Sequence, residues 1–109
     1  MNVWEIWFAD FPFEDSPTVV KSRPVIILNI DPLEVLSIKV TSKDVRADDP
    51  YDIAIVHWKE SGLKFPSVAR ISKVMLLSKD KFKFKIGTLH DEDRIAILST
   101  YGHFLEESL

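Results

Sequence analysis

The feature that most limits how this chain can fold is a series of short apolar runs, rich in β-branched and aromatic residues and ended by proline, glycine or charged residues. Runs of this length, alternating or continuous in apolar character, are typical of β-strands. They predict six strands, at residues 3–9, 24–30, 34–42, 52–58, 67–77 and 82–88. Because the chain has only 109 residues, these strands are expected to share one core in a single domain, residues 1–109.

The end of the chain follows a helical period instead. Apolar residues recur there at spacings of three and four, along one side of a helix: Ile95, Leu98, Tyr101 and Leu105. Acidic residues at 91–93 stand where the N-terminus of a helix favours negative charge. The pattern predicts one helix over residues 91–106, with its apolar side packed on the strands.

Two connections between the predicted elements have distinctive sequences. The stretch from Asp10 to Ser22 contains Pro12 and Pro17 and is too long for a hairpin turn, so we expect a long loop there. A short helical turn fits residues 78–81. Together the elements predict a mostly β fold, a small antiparallel barrel with a C-terminal helix packed on it.

Residue types that are missing or widely spaced exclude several chemistries. The chain has no cysteine, which excludes disulfides, a thiol nucleophile and a cysteine-based zinc site. His57, His90 and His103 are far apart in the sequence and match no metal-ligand spacing, so neither a metal site nor a cofactor is expected. Because the chain shows no signal-like N-terminus and no apolar run of membrane-spanning length, we expect a cytoplasmic protein without a membrane partner.

Charge is unevenly distributed along the chain. The net charge of −3 argues against a basic surface over the whole molecule, and no DNA partner is expected. Residues 50–89 nevertheless carry a net charge of +5, whereas residues 1–20 and 90–109 carry −4 each. The middle of the chain can therefore present a basic face. Lys83 and Lys85, which alternate with phenylalanines, are interpreted first as the solvated side of a strand.

Two short segments carry candidate catalytic groups. Arg23 precedes Pro24, and proline, with its fixed φ and missing amide donor, favours a strand that begins there. Thr41 and Ser42 end the next predicted strand. If the two strands are neighbours, a guanidinium and two hydroxyls converge at one edge of the sheet, a combination suited to binding and breaking a phosphodiester. A solvated arginine and ordinary turn hydroxyls are the alternative, which the sequence alone leaves open.

Five segments occur in the order and at the distances found in the MazF/PemK family of toxin endoribonucleases, which this chain resembles over most of its length. They are Trp4 to Phe11, Lys21 to Val25, Val40 to Ser42, Gly62 to Val68 and Lys85 to Leu89. The resemblance implies an SH3-like barrel of the MazF/PemK/CcdB type that forms a homodimer. It also implies sequence-selective cleavage of single-stranded RNA such as mRNA, in a groove across the dimer interface. An antitoxin protein, whose extended tail occupies that groove, is implied as the neutralising partner.

The site residues of the family can be transferred position by position. The arginine before the proline falls on Arg23 and the catalytic hydroxyl on Thr41, with Ser42 adjacent, so the resemblance implies these three as catalytic residues. The residues expected to bind RNA are Lys21, Lys43, Arg70 and Ser72. Arg70 matches an arginine that some members use. Those members have an aspartate where this chain has Ser72, and a histidine in the first long loop, where this chain has none.

The chemistry expected of such a site needs no metal. The RNA 2′-hydroxyl attacks the neighbouring phosphorus, and the planar guanidinium of Arg23 stabilises the charge that develops on the phosphoryl oxygens. Arginine is too basic for proton transfer, so the general base stays unassigned. The alternative function is that of a non-catalytic relative, either a protein-binding poison like CcdB or an RNA-binding module. The CcdB-like function is weakened because this chain lacks the C-terminal tryptophan of that family.

Overall fold

The computed structural model of the protein describes residues 1–12 and 18–109. The strands are β1 (Glu5–Pro12), β2 (Val20–Ile30), β3 (Glu34–Thr41), β4 (Asp52–Ala54), β5 (Val68–Ser78) and β6 (Phe82–Thr88). A 3-10 turn (Lys79–Lys81) precedes β6, and helix α1 (Asp91–Glu107) follows it. Residues 13–17, in the middle of the expected long loop, lie outside the described residues. In the described part of the chain, no helix combines the length and apolar character needed to cross a membrane.

The described strands form one antiparallel sheet in the order β4-β5-β3-β2-β1-β6. This confirms the prediction of a mostly β fold with a C-terminal helix. Side chains opposite each other on neighbouring strands share a face, so Ile6, Ile26 and Ile38 form one apolar row across β1, β2 and β3. All three are fully buried, and Ile97 of α1 joins them in the larger core cluster. The helix therefore covers this face of the sheet.

Two glycines bring the ends of the sheet together. The segment after β4, at one end of the strand order, packs against β6, at the other end. A Cβ atom on Gly87 would lie 2.1 Å from the carbonyl oxygen of Ser61, and one on Gly62 would lie 2.7 Å from that of Ile86. Gly62 also has a φ of +91°, which residues with a side chain disfavour. The close backbone contact thus joins the segment that follows one edge strand to the other edge strand.

The first two strands have different bounds from the predicted ones. β1 begins at Glu5 rather than at residue 3, because Trp4 has a φ of +71° that interrupts the extended backbone. β2 begins at Val20, upstream of the start predicted at Pro24. Pairing between β2 and β3 starts only at Val25. Because no residue of β3 pairs with Pro24, the missing amide donor of this proline breaks no hydrogen bond to β3, and β2 can include it.

β4 is much shorter than the strand predicted over residues 52–58 and ends at Ala54. Beyond it, the carboxylate of Asp93 in α1 accepts hydrogen bonds from the backbone amides of Val56 at 2.9 Å and His57 at 2.8 Å. Amides that donate to a carboxylate cannot also donate to a neighbouring strand. The helix therefore ends the strand.

Helix α1 agrees with the predicted range to within one residue, but it packs with a different side inward. Three apolar residues of the predicted inward side are instead 65%, 55% and 46% exposed: Ile95, Leu98 and Leu105. The inward side consists of Asp93 and Ile97, which are buried, and Tyr101 and Phe104, which pack against the core. The prediction was wrong on this point because a charged residue at position 93 makes the buried side look polar in the sequence.

Candidate active site

Arg23, Thr41 and Ser42, the three candidate catalytic residues, line one groove of about 540 Å³. We call this cavity the Arg23 groove. Strands β1, β2, β3 and β6 and residues 62–65 form its walls. Lys21, expected from the resemblance to bind RNA, also lines it. The adjacency of β2 and β3 in the sheet brings these residues together, as the sequence analysis required.

Strand pairing places Arg23 and Thr41 at the same end of the β2–β3 ladder. The ladder ends at the pair Val25–Lys39, and each of the two residues lies two positions beyond that pair on its own strand. Both then line the Arg23 groove. The backbone amide of Lys43 donates to Oγ1 of Thr41 at 3.3 Å. This contact orients the hydroxyl oxygen and leaves its proton available for a ligand.

The guanidinium of Arg23 contains a hydrogen-bond donor without an acceptor. Its Nε is buried and has no hydrogen-bond partner among the described residues. Burial lowers the pKa of Arg23, and the positive charge of Arg70 lowers it further, so both effects destabilise the charged form. Arginine nevertheless keeps its charge at neutral pH. A bound anion would supply both the missing acceptor and the missing negative charge.

Arg70 is held by a buried ion pair rather than in the lining of the groove. Its Nη1 donates to the carboxylate of Asp52 at 2.7 Å. Asp52 also accepts from Nε of Arg46 at 2.9 Å and from its Nη2 at 2.8 Å. Burial alone would raise the pKa of Asp52, but the hydrogen bonds and charges of the two arginines outweigh it and hold the pKa below its ordinary value. The charge of Arg70 is thus compensated, unlike that of Arg23.

Ser72 and Lys43 also lie outside the lining of the Arg23 groove. The Ser72 hydroxyl donates to Asp49 at 2.5 Å, and the same carboxylate oxygen accepts from Arg46 at 3.0 Å. Ser72 therefore belongs to the charged network on the loop that follows β3. Lys43 lines a neighbouring cavity of about 310 Å³, which it shares with Ser42.

Sequence reasoning missed the aromatic and basic residues that complete the groove. Phe8 on β1 and Phe84 on β6 lie opposite each other, with ring centroids 5.1 Å apart and ring planes at 24°. Lys64 and Phe65 line the groove from the segment after β4. The alternation of phenylalanine and lysine in β6 was a signal, but it indicated buried rings. Phe84 is instead 54% exposed.

His57 and His90, which match no metal-ligand spacing in the sequence, are stacked with ring centroids 3.7 Å apart. Together with Glu92 they offer ligand atoms within 4.8 Å of one another. However, Nδ1 of His90 already accepts the backbone amide of Glu92 at 3.1 Å and so caps α1. Parallel rings also direct their nitrogen lone pairs side by side rather than toward one point. We therefore assign the cluster to the start of the helix.

The fold matches solved structures of MazF-type proteins. An endoribonuclease in complex with its cognate antitoxin, from a mycobacterial species, aligns with a TM-score of 0.77 and 13% identity over 97% of this chain and 95% of that chain. The Mycobacterium tuberculosis toxin MazF-mt6 aligns with a TM-score of 0.74 and 21% identity over 94% and 96%. MazE-MazF from Deinococcus radiodurans aligns with a TM-score of 0.70 and 12% identity over 96% and 94%. At these identities, the matches define a MazF-like fold.

Residues 2–105 match the family model described as the PemK-like, MazF-like toxin of type II toxin-antitoxin system. The chain belongs to this family. A comparison with curated protein sequences gives no match. The family membership confirms the resemblance that the five sequence segments indicated.

Proposed function

We propose that this protein is a toxin-type endoribonuclease that cleaves single-stranded RNA sequence-selectively and without a metal ion. The observation that carries the proposal is the buried, unpartnered Nε of Arg23 in a groove that Thr41 also lines. A phosphodiester supplies the anion that this guanidinium lacks. Family membership and the similarity to the structures of mycobacterial endoribonucleases support the same activity.

The proposed reaction uses the nucleophile that RNA itself carries. The 2′-oxygen forms a bond to the adjacent phosphorus while the bond to the 5′-oxygen breaks, which gives a cyclic phosphate and a 5′-hydroxyl end. The 2′-hydroxyl loses one proton and the leaving oxygen gains one. Arg23 stabilises the charge on the equatorial phosphoryl oxygens, and Thr41 and Ser42 hold the scissile phosphate and the 2′-hydroxyl in line.

The other predicted residues have supporting roles in this proposal. Lys21 and Lys43 contact phosphates on either side of the scissile one, because Lys21 lines the Arg23 groove and Lys43 lines the adjoining cavity. Arg70 fixes the position of β4 against β5 through its ion pair with Asp52, and Ser72 helps to fix the loop that carries Lys43. These roles need no direct contact of Arg70 or Ser72 with RNA.

We also propose the assembly and the regulation that the family implies. The protein acts as a cytoplasmic homodimer, and a cognate antitoxin blocks the Arg23 groove with an extended segment. Similar structures include one endoribonuclease in complex with its cognate antitoxin. Acidic side chains on that segment would satisfy the same guanidinium that binds phosphate.

A second candidate function is RNA binding without turnover. One observation favours it: among the described residues, no carboxylate and no imidazole lines the Arg23 groove. The described lining of the groove thus offers positioning and charge stabilisation but no side chain suited to proton transfer. The two candidates differ in whether bound RNA is cut.

The deciding experiment is cleavage of a long unstructured RNA in EDTA by wild type, Arg23→Ala, Arg23→Lys and Thr41→Ala, with sequencing of the product ends. We expect discrete cuts by wild type and a loss of about a hundredfold in rate for Arg23→Ala and Thr41→Ala. Arg23→Lys should also be impaired, because an ammonium cannot bind phosphate in a bidentate manner. Arg94→Ala, which removes a partly exposed arginine on α1, is the matched control and should cut normally.

Three results would contradict the cleavage proposal. Near-normal cutting by Arg23→Lys would refute bidentate stabilisation. Cleavage that stops in EDTA and returns with a divalent ion would refute the metal-independent reaction. Intact RNA bound by folded wild type would establish the second candidate instead.

A further inference from the structure

Two exposed aromatic rings line the Arg23 groove. Phe84 is 54% exposed, although one face of its ring is stacked on Phe8. Phe65, on the segment after β4, is 63% exposed and lines the same groove. Large apolar side chains that line a groove and stay exposed to water indicate a surface that a ligand covers.

The position of Phe84 within the sheet connects it to the catalytic candidate. Phe84 lies opposite Phe8, and Phe8 lies opposite Pro24, which directly follows Arg23. An apolar row therefore crosses β6, β1 and β2 and ends at Pro24. Arg23, the residue before Pro24, lines the same groove as Phe8 and Phe84. Neighbouring strands are about 4.8 Å apart, so the ring lies roughly 10 Å from β2. This is comparable to the span from a backbone phosphate to a base one or two nucleotides away.

The charges around the rings fit a polyanion. Lys21 and Lys64 line the groove, are exposed, and form no ion pair with the carboxylates of residues 1–12 and 18–109. Arg23 adds a buried guanidinium nitrogen, Nε, that has no partner among the described residues. Basic side chains that follow a backbone, together with aromatic faces on which bases stack, are the combination that binds single-stranded nucleic acid.

We propose that Phe84 is a stacking platform for one unpaired nucleobase of the RNA, close to the phosphate held at Arg23. This inference rests on the proposed function and deepens it. Every base has a π-face, so the platform accepts any unpaired base and excludes bases that are stacked within a duplex. It thereby selects single strands, while sequence preference comes from other contacts.

The test measures the affinity of two uncleavable probes for wild type, Phe84→Leu and Phe84→Tyr. One probe is a 2′-O-methyl single strand of mixed sequence, and the other has the same length but abasic spacers in place of nucleotides. Leucine keeps the apolar bulk and removes the flat face, whereas tyrosine keeps the face. Leu33→Ala, at an exposed position 79% accessible in the connection between β2 and β3, is the control away from the groove.

We expect Phe84→Leu to weaken binding of the strand with bases by about 5- to 150-fold, the range typical of losing one stacked base. Binding of the abasic probe should not change, and Phe84→Tyr and Leu33→Ala should bind both probes like wild type. Equal losses on both probes, or no loss on either, would overturn the platform. If wild type still cuts the long RNA in that case, the proposed function survives. Wild type that neither cuts nor binds RNA would overturn both proposals.

Discussion

Glu5 offers a quantitative test of how the sheet is held together next to the groove. Its carboxylate accepts the indole N–H of Trp7 at 2.9 Å, the backbone amide of Asn2 at 2.9 Å and the side-chain amide of Asn2 at 3.3 Å. It also pairs with Nζ of Lys85 at 3.0 Å, and only 8% of the Glu5 side chain is exposed. All of these contacts favour the ionised carboxylate, so Glu5→Gln should remove the ionic part of each.

The size of the effect follows from the pKa. The hydrogen bond from Trp7 is the largest cause, burial opposes it, and the contacts with Asn2 and Lys85 add to it, which together lower the pKa of Glu5 from 4.5 to about 2. Each pKa unit corresponds to about 1.4 kcal/mol, so the charged form contributes at most about 3 kcal/mol to folding. Because the folded pKa is the lower one, this contribution is fully present above about pH 4.5 and disappears as the pH falls toward 2.

The assay is urea denaturation of wild type and Glu5→Gln at several pH values between 7 and 3. We expect the variant to lose on the order of 2–3 kcal/mol in free energy of unfolding at pH 7 and progressively less below pH 4.5. Glu34→Gln, at an exposed position, should show no such trend. A difference between wild type and Glu5→Gln that stays constant over this pH range would refute the linkage to ionisation.

Three further substitutions test the scaffold of the site. Asp52→Asn removes the charge that compensates two arginines and should lower the free energy of unfolding by about 3–5 kcal/mol; a loss under about 1 kcal/mol in urea denaturation would contradict a buried ion-pair network. Gly87→Ala places a methyl group 2.1 Å from a backbone oxygen and should cost about 1–3 kcal/mol, whereas Gly102→Ala, in open space on α1, should stabilise the protein by about 0.5–1 kcal/mol. Equal melting temperatures for these two glycine variants would show that β6 and the segment after β4 are not in close contact.

The strands of this protein could be predicted because short apolar runs report burial directly, but their ends could not. β4 ends at Ala54 because Asp93 accepts the backbone amides of Val56 and His57, and this carboxylate lies far along the chain. Asp93 also explains why the buried side of α1 was not predicted. The prediction relied on the spacing of apolar residues, and Asp93 is a charged residue on the buried side. The end of β4 and the buried side of α1 are both determined by one long-range hydrogen-bonded contact. Such contacts cannot be predicted from the local sequence.

Part of the candidate site was also predictable from the sequence. Arg23 and Thr41 were placed together because consecutive strands are usually neighbours in a sheet. The compensation of Arg70 by Asp52 was not predictable, because it depends on the pairing of β4 with β5. The exposure of Phe84 was missed for a related reason: a residue on an edge strand has a neighbour on one side only, which alternation along the sequence cannot show.

The hydrogen bonds of Asp93 also connect α1 to one wall of the groove. They fix the turn at Val56 and His57, and the carbonyl oxygen of His57 accepts both the backbone amide and the hydroxyl of Ser61. Residues 62–65, one wall of the groove, continue directly from there. Position 93 follows every strand in the order of synthesis. One wall of the groove is therefore supported by a carboxylate that the ribosome adds after Arg23, Thr41 and the whole sheet.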